Sequence, residues 1–441
     1  MILLEKVNKI FPLSANVAMN ILSRIFIVNI ISDISLDYAR SSSHLMVILG
    51  VLNAPYYFSM GASIRVKSLE NKNSYANALL HTLISSIILN IFLGIILAVL
   101  VYFCIDKILM IFKQPLNIVE HTQYFFKCYA FCLVSNSLFQ GLQQIYIGLN
   151  KGYISTAINL LSNLITFVFL YLLMNRFKNS DDFSIPFTYP FLIYGLVGSA
   201  ILLFLLVRDS DIKILENLNI NNKYIIKEFI YLLKISIPFC IQNIHGTFVH
   251  FVHVIVIGMI CPRLLPLYQV LIQYNLVVLI IILGSIQAFG LDTIQNVQKR
   301  ALDLFLQKMK RYLTIIFSLM ILCSLFFYFK LFFKIITYNL LISEKNDLLF
   351  SFFIAFISHF IFVIRNINIM TLTNLGDPIF PVMLATSLSL AFGLPMSIIL
   401  AFLIPYSLTA IHLGILMHYV IATIILMVRG YKNWYFTHDS T

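Results

Sequence analysis

Three positively charged side chains lie inside apolar stretches that are long enough to cross a lipid bilayer. Arg24 lies about ten residues, or roughly 15 Å along a helix, into the first stretch. Arg365 lies inside another stretch, and Lys127 lies near the outer start of a third, from which it can reach the membrane surface. An ionisable group at such depth is costly and usually faces a cavity. The pattern therefore predicts that Arg24 and Arg365 line a binding cavity.

Histidines are the second group that could do chemistry inside the apolar stretches. His245 and His253 lie in one stretch at a spacing that places them on the same helix face, and His250 is displaced from them. His359 precedes Arg365 in its stretch. An imidazole gains and loses a proton near neutral pH, so these side chains could carry protons. The other interpretation is a neutral histidine that hydrogen-bonds to a neighbouring helix.

The elements that must hold these side chains are membrane-spanning helices. Of the 441 residues, 60% are hydrophobic and 11% are charged, and the mean hydropathy is +0.92. A soluble domain is about half apolar and about a quarter charged, so the composition excludes a soluble enzyme, a nucleic-acid-binding protein and a disordered chain. The sequence predicts an all-α integral membrane protein with about twelve transmembrane helices in two pseudo-symmetric six-helix lobes.

The charges outside the spans indicate how the chain is oriented and divided. The predicted spans cover residues 14–34, 44–64, 77–104, 122–146, 154–174, 189–207, 233–258, 268–290, 312–335, 349–371, 380–404 and 411–428. With the N-terminus inside, the inside segments carry about twice as many Lys and Arg residues as the outside segments. The bias predicts cytoplasmic termini and accounts for most of the net charge of +12.

The longest inside segment separates two sets of six spans. We therefore predict an N-terminal lobe over residues 1–207 and a C-terminal lobe over residues 233–428. The connector, residues 208–232, contains an amphipathic helix at the membrane surface, and residues 429–441 form a cytoplasmic tail.

The two halves contain similar short stretches in the same order. The matched stretches are Ile48–Ala54 with Ile282–Ala288, Leu149–Gly152 with Thr373–Gly376, and Gly195–Gly198 with Ile411–Gly414. Six spans per repeat give both halves the same orientation, which is a transporter architecture. Asn53 and Gln287 fall at corresponding places of the repeat, and Asn163 and Gln242 lie in other spans. These four amides either line the cavity or form hydrogen bonds between helices.

The chain resembles the multidrug and toxic compound extrusion (MATE) family, within the wider multidrug/oligosaccharidyl-lipid/polysaccharide flippase superfamily. Four stretches carry the resemblance: LLKISIPFCIQNIHGTFVHFVHVIVIG (seventh span), GSIQAFGLDTIQNVQKR (eighth), LTNLGDPIFPVMLATSLSLAFGLPMSIILAF (tenth to eleventh) and LGILMHYVIATIILMVRGYKNW (last). The resemblance extends over most of the chain. It implies the export of organic, often cationic, compounds in exchange for sodium ions or protons.

The sequence departs from the family at the buried carboxylates on which this exchange relies. Arg24 and His245 stand where the resemblance implies an acid in the first and seventh spans. Asp33 and Asp37 lie only at the end of the first predicted span. The candidates for an atypical ion coupling are therefore His245, His359, Asp33 and Asp37.

We expect a secondary active transporter of the antiporter type that exports small organic compounds or drugs by alternating access between its two lobes. Because the charges within the spans are positive, we expect anionic or amphiphilic substrates. The alternative is a flippase for a lipid-linked oligosaccharide or polysaccharide precursor, in which arginines would neutralise a pyrophosphate. A degenerate member that does not transport is a further alternative. An enzyme is not expected, because no cluster of His or acidic residues lies at one membrane face.

The expected partners follow from these predictions. They are the lipid bilayer, a small organic substrate, and a proton or a sodium ion as the coupling ion, with no nucleic acid. The six cysteines are scattered without the paired spacing of a zinc site, so neither a metal nor a cofactor is expected. We also expect the protein to be a monomer and to cross the plasma (inner) membrane of the cell many times.

Overall fold

The computed structural model describes a helical protein. The described residues are 15, 18, 19, 54–69, 75–111, 116–177, 184–208, 221–260, 265–299, 301–337, 342–404 and 407–435. Within these ranges the regular elements are helices, and no strand occurs. The first predicted span lies almost entirely outside them, and with it the candidates Arg24, Asp33 and Asp37; Asn53 also lies outside the described residues.

The N-terminal half contributes six described helices: α1 (Ala54–Phe58), α2 (Met60–Leu69), α3 (Tyr75–Ile111), α4 (Leu116–Gly148), α5 (Gly152–Phe177) and α6 (Ser184–Arg208). The rest of the chain forms α7 (Asn222–Ile260), α8 (Leu265–Gln298), α9 (Leu302–Thr337), α10 (Ile342–Asn374), α11 (Ile379–Leu388), a π-helical turn (Ser389–Gly393), α12 (Leu394–Leu403) and α13 (Ser407–Tyr435). Each predicted span from the second to the twelfth has a counterpart. Most of the helices are longer than predicted, because they continue past the apolar stretch into polar ends.

Eight stretches of the described chain are long and apolar enough to cross a membrane. They lie in α3, α5, α6, α8, α9, α10 and α13, and in the run from α11 to α12. Large apolar side chains such as Phe103, Phe326 and Leu403 are exposed on these helices. Apolar exposure on this scale fits a surface that faces lipid rather than water. The protein is therefore a multi-pass membrane protein.

The chain divides into two compact units, which we call the N-terminal unit (Ala18–Cys240) and the C-terminal unit (Ile241–Thr441 with Met1–Val17). The division falls within α7, a single helix that contains Pro238 and includes both the predicted connector helix and the predicted seventh span. The finer lobe boundaries given above stay a prediction.

In the N-terminal unit, an ion pair fixes the start of α7. Arg65 on α2 donates from Nη2 to Oε2 of Glu228 at 2.8 Å, and its Nε donates to Oε1 of the same carboxylate. Thr82 on α3 donates to Glu228 Oε1 at 3.0 Å, and the guanidinium of Arg65 lies 4.7 Å from the centre of the Tyr231 ring. A bidentate, partly buried arginine–carboxylate pair is among the stronger polar contacts available to a protein.

One turn occurs in both halves and locates the internal repeat. The turn after α4 has Asn150 at φ 61°, and the turn after α10 has Gly376 at φ 91°. In each case the N–H of the next residue donates to a carbonyl oxygen five positions earlier at 2.9 Å. This is a helix end with a left-handed residue. It pairs Asn150 with Gly376, so the alignment of Leu149–Gly152 with Thr373–Gly376 was shifted by two residues.

Candidate functional site

Arg365 lies within α10, and its side chain is 4% exposed. Its guanidinium forms no hydrogen bond and no ion pair with the part of the chain that the structure describes, and its Nε is buried without a partner. Its Cζ lies 4.5 Å from the centre of the Tyr419 ring and 4.7 Å from that of Phe362. Aromatic faces attract a cation but leave its N–H donors unused. No described residue therefore occupies the hydrogen-bond donors of Arg365.

No carboxylate compensates the charge of Arg365 among the described residues. Within them, every Asp and Glu lies in a turn or within about two turns of a helix end. Some basic residues near helix ends do pair with acids: Arg429 binds Asp377 at 3.3 Å and Lys308 approaches Asp292 at 3.8 Å. A buried charge without a partner destabilises a protein strongly. Within the described structure Arg365 is such a charge, and this is the first indication of a binding site.

Two histidines interact electrostatically with Arg365. His418, on α13, is 2% exposed, and the centre of its ring lies 4.4 Å from that of Tyr419. His245, on α7, is half-buried. The Nε2 atom of each ring is buried and has no hydrogen-bond partner in the described part of the chain. The cluster therefore combines unused donors on the arginine with unused ring nitrogens on the histidines.

The π-helical turn Ser389–Gly393 lies against His418. A Cβ atom on Gly393 would lie 2.7 Å from Cγ of His418 and closer still to Nδ1, so only glycine leaves room for the ring. One turn further along, Ser397 on α12 lies 2.9 Å, through its Oγ, from Nε2 of His253. π-helical turns within α-helices are frequent at functional sites. Here the turn accommodates the histidine nearest to Tyr419.

His359 faces away from this cluster. Its Nδ1 lies 2.7 Å from the carbonyl oxygen of Ala355 on the same helix, and its ring packs edge-on against Tyr274 with centres 5.5 Å apart. Arg365 follows His359 by six residues, a spacing that places the two on different faces of α10. The structure therefore separates these two predicted residues.

Asn163 belongs to a different cluster, which lies in the N-terminal unit. Its Nδ2 donates to both the backbone oxygen and Oδ1 of Asn159 at 2.9 Å. The hydroxyl of Tyr194 donates to the same Oδ1 at 2.8 Å. Gln143 on α4 is fully buried, and neither end of its amide has a hydrogen-bond partner among the described residues. This cluster is polar but carries no charge.

No contact that the structure describes connects the remaining candidates, Gln287 and Gln242, to either cluster. Gln287 on α8 is 2% exposed. The backbone of Gln242 lies in α7, but its side chain is outside the described part. Of the predicted residues, His245 and Arg365 are thus the two that the structure brings together.

The sequence reasoning missed His418 and Tyr419. The available signal was a His-Tyr pair in the middle of the last apolar stretch, LGILMHYVIATIILMVRG. By the depth argument applied to Arg365, a histidine there is also a candidate for a cavity. No group of three or more His, Cys, Asp or Glu residues that could hold a metal ion occurs among the described residues.

Comparisons with known proteins agree with this architecture. The MatE family model matches residues 10–172. An outward-facing multidrug resistance MATE family transporter of the MOP superfamily shares 15% identity with a TM-score of 0.79, over 97% of this chain and 95% of that chain. A MATE protein in complex with MaD5 also shares 15% identity with the same coverage, at a TM-score of 0.77.

A third similar structure is a MOP superfamily transporter from Pyrococcus furiosus, described as having a binding pocket of reverse polarity that suggests a different function. It is 14% identical, with a TM-score of 0.77 over 97% of this chain and 95% of that chain. No curated protein sequence matches the chain. At these identities the structures establish the fold. The sequence match identifies a MatE domain in residues 10–172, and the structural matches show that the chain as a whole has the fold of MATE membrane transporters.

Proposed function

We propose that the protein is a secondary transporter that exports small organic anions or anionic amphiphiles by alternating access of its two lobes. The family supports transport, and the internal repeat supports the mechanism. The excess of basic residues on the inside segments supports a location in the inner membrane with both termini cytoplasmic.

The observation that carries the proposal is the buried guanidinium of Arg365, which has no acid beside it in the described structure. Its planar array of donors suits a carboxylate, a sulfonate or a phosphate. An anion bound there would supply the missing opposite charge. A cation would face repulsion from Arg365 at close range.

The surroundings of Arg365 favour a substrate that also has an apolar body. Phe362 and Tyr419 lie on the guanidinium, and their rings are 5.3 Å apart. An aromatic or aliphatic body can pack on these rings while the charged end meets the donors. The similar transporter whose pocket is described as having reverse polarity supports the idea that this fold is compatible with different pocket charges.

The test uses two probes with the same aromatic body and opposite charge, naphthalene-2-sulfonate and 2-naphthyltrimethylammonium. The purified protein is reconstituted in liposomes, and transport of each probe is measured under an imposed proton gradient and then under a sodium gradient. We expect the sulfonate to be transported at least about tenfold faster than the ammonium compound, since charge repulsion penalises the cation in a buried site.

Three variants test whether Arg365 causes the preference for the sulfonate. Arg365→Gln should abolish transport of the sulfonate, and Arg365→Lys should keep part of it, because lysine keeps the charge but not the fork of donors. Arg208→Gln is the matched control, since Arg208 is exposed at the end of α6. Preference of the wild type for the ammonium probe, or unchanged sulfonate transport by a well-folded Arg365→Gln protein, would overturn the proposal.

A further inference from the structure

The hydrogen bonds around His418 determine which of its ring nitrogens carries the hydrogen. Nδ1 lies 3.4 Å from the carbonyl oxygen of Gly414, one turn earlier on α13. A carbonyl can only accept, so Nδ1 carries the hydrogen and Nε2 presents a lone pair. That Nε2 is buried and has no donor near it within the described structure. Among the described residues, nothing occupies this proton acceptor of His418, which is buried in the C-terminal unit.

His253, in the same unit, also has one ring nitrogen in a hydrogen bond and the other buried with a lone pair. Ser397 donates its hydroxyl hydrogen to the carbonyl of Leu394 at 2.8 Å, so its oxygen must accept from Nε2 of His253. Nδ1 of His253 is then the atom with the lone pair, and it too is buried without a partner. Of the two histidines, His418 is the one that contacts the aromatic ring on which Arg365 lies.

The charges that can act on His418 come from few elements. The run from α11 through the π-helical turn to α12 packs against α13 and contains no titratable residue. Among the described residues, the titratable groups that interact with His418 are Arg365 on α10, His245 and His253 on α7, and Tyr419 on α13, the helix that also carries His412. Asp347, on α10, lies against the start of α13, where its carboxylate accepts from the N–H groups of Leu408 and Thr409. Within the described structure, Arg365 is thus the permanent charge that acts on His418.

This arrangement makes proton binding depend on anion binding. In the empty site, the positive charge of Arg365 opposes a second positive charge on His418. An anion on Arg365 removes this opposition, and a protonated Nε2 can donate a hydrogen bond to the same anion. We infer that the site takes up one proton together with its anion, and that Nε2 of His418 is the atom that accepts the proton. The inference rests on the anion site of the proposed function. The proton comes from solvent and forms the N–H bond without breaking a bond in the anion.

Calorimetric titration of the purified protein with naphthalene-2-sulfonate tests the inference, because a sulfonate stays ionised over the whole pH range used. Titrations at pH 5.5 to 8.5, each in two buffers that differ in ionisation enthalpy, count the protons taken up. Where uptake is complete, the affinity should rise about tenfold for each unit by which the pH falls. The His418→Gln variant should bind the sulfonate with no proton uptake and with an affinity independent of pH.

His359→Gln is the matched control, because His359 is on α10 but faces away from Arg365; it should keep both the uptake and the pH dependence. If the His418→Gln protein does not fold, the number of protons that the wild type and His245→Gln take up with the sulfonate still tests the inference. Binding by the wild type without proton uptake overturns this inference while the anion site stands. Loss of uptake in His245→Gln but not in His418→Gln overturns the assignment to His418. The absence of sulfonate binding at every pH overturns the proposed function itself.

Discussion

The two units of the protein bury polar groups in different ways. In the N-terminal unit, Asn159 accepts from both Asn163 and Tyr194, so uncharged groups form hydrogen bonds with one another. In the C-terminal unit, Arg365 and His418 are buried as deeply, but the Nε of one and the Nε2 of the other have no partner in the described structure. The neutral cluster is not fully satisfied either, since Gln143 has no partner within the described structure. What distinguishes the C-terminal cluster is the positive charge of Arg365 with no described acid beside it, a cost that a bound anion can remove.

The comparison therefore assigns different tasks to the two clusters. We expect the neutral cluster to contribute to stability, and we expect the charged cluster to reduce stability and to contribute to binding. This opposition of function and stability is common at active and binding sites. Matched pairs of substitutions, with one member in each unit, can test whether the two clusters differ in this way.

Reversal of the charge at residue 365 should have the largest effect. In Arg365→Glu, a carboxylate would repel the sulfonate probe and attract the ammonium probe. We expect the charge preference to invert, with sulfonate affinity falling about 100-fold or more, as for the loss of a buried charge partner. Asn163→Asp places a carboxylate in the neutral cluster instead. Its sulfonate preference should stay that of the wild type, and an equal inversion would show that the C-terminal unit is not special.

Apolar replacements should change stability in opposite directions in the two units. Arg365→Met removes an unpaired buried charge, so we expect the free energy of unfolding to rise by about 1–4 kcal/mol. Asn159→Leu leaves the Tyr194 hydroxyl without its acceptor, so we expect a loss of about 1–3 kcal/mol. Thermal unfolding in detergent measures both. A lower melting temperature for Arg365→Met would mean that Arg365 is a structural residue.

Glycine contacts test the packing that holds the charged cluster. A Cβ atom on Gly414 would lie 2.6 Å from the backbone nitrogen of Ser397, which is the serine bound to His253. We expect Gly414→Ala to cost about 1–3 kcal/mol because helix α12 must move away from α13. Gly246 on α7 is the control, since no described atom lies within 4 Å of its Cβ position. Gly246→Ala should stabilise the helix by about 0.5–1 kcal/mol.

The smallest effects concern the ion pairs near the helix ends. The partly buried pair of Arg65 and Glu228 forms two hydrogen bonds in the N-terminal unit, whereas the pair of Arg429 and Asp377 in the C-terminal unit is more exposed. We expect Glu228→Gln to lower the free energy of unfolding by about 1–2 kcal/mol, as for hydrogen bonds to charged groups. Asp377→Asn should change it by less than about 1 kcal/mol. Equal losses would contradict this ranking of the two pairs.

Most of the fold followed from the sequence because apolar length and charge placement are local properties. The predicted spans from the second to the twelfth correspond to helices in the structure. The helix ends were less accurate, since a helix such as α10 continues for several residues beyond its apolar part. The repeat was aligned two residues out, because Asn374 matches Asn150 in type whereas Gly376 matches it in backbone conformation.

The candidate site followed only in part. Arg365 and His245 were predicted because a charge and a histidine stand out within apolar stretches. His418 was missed because its importance depends on contacts across helices, namely its own packing against Gly393 in the π-helical turn and the contact of its neighbour Tyr419 with Arg365. A one-dimensional pattern shows depth in the membrane, but it does not show which faces of two helices meet.

The location of a bound anion tests the central claim most directly. Crystals of the wild type soaked with an iodinated naphthalene sulfonate would show the iodine by its anomalous scattering. The account predicts one iodine position in the C-terminal unit, with the sulfonate within hydrogen-bond distance of the Arg365 guanidinium and of Nε2 of His418, and no such position in Arg365→Gln. An iodine beside Asn159 and Tyr194 instead, or the same position in wild type and variant, would contradict it.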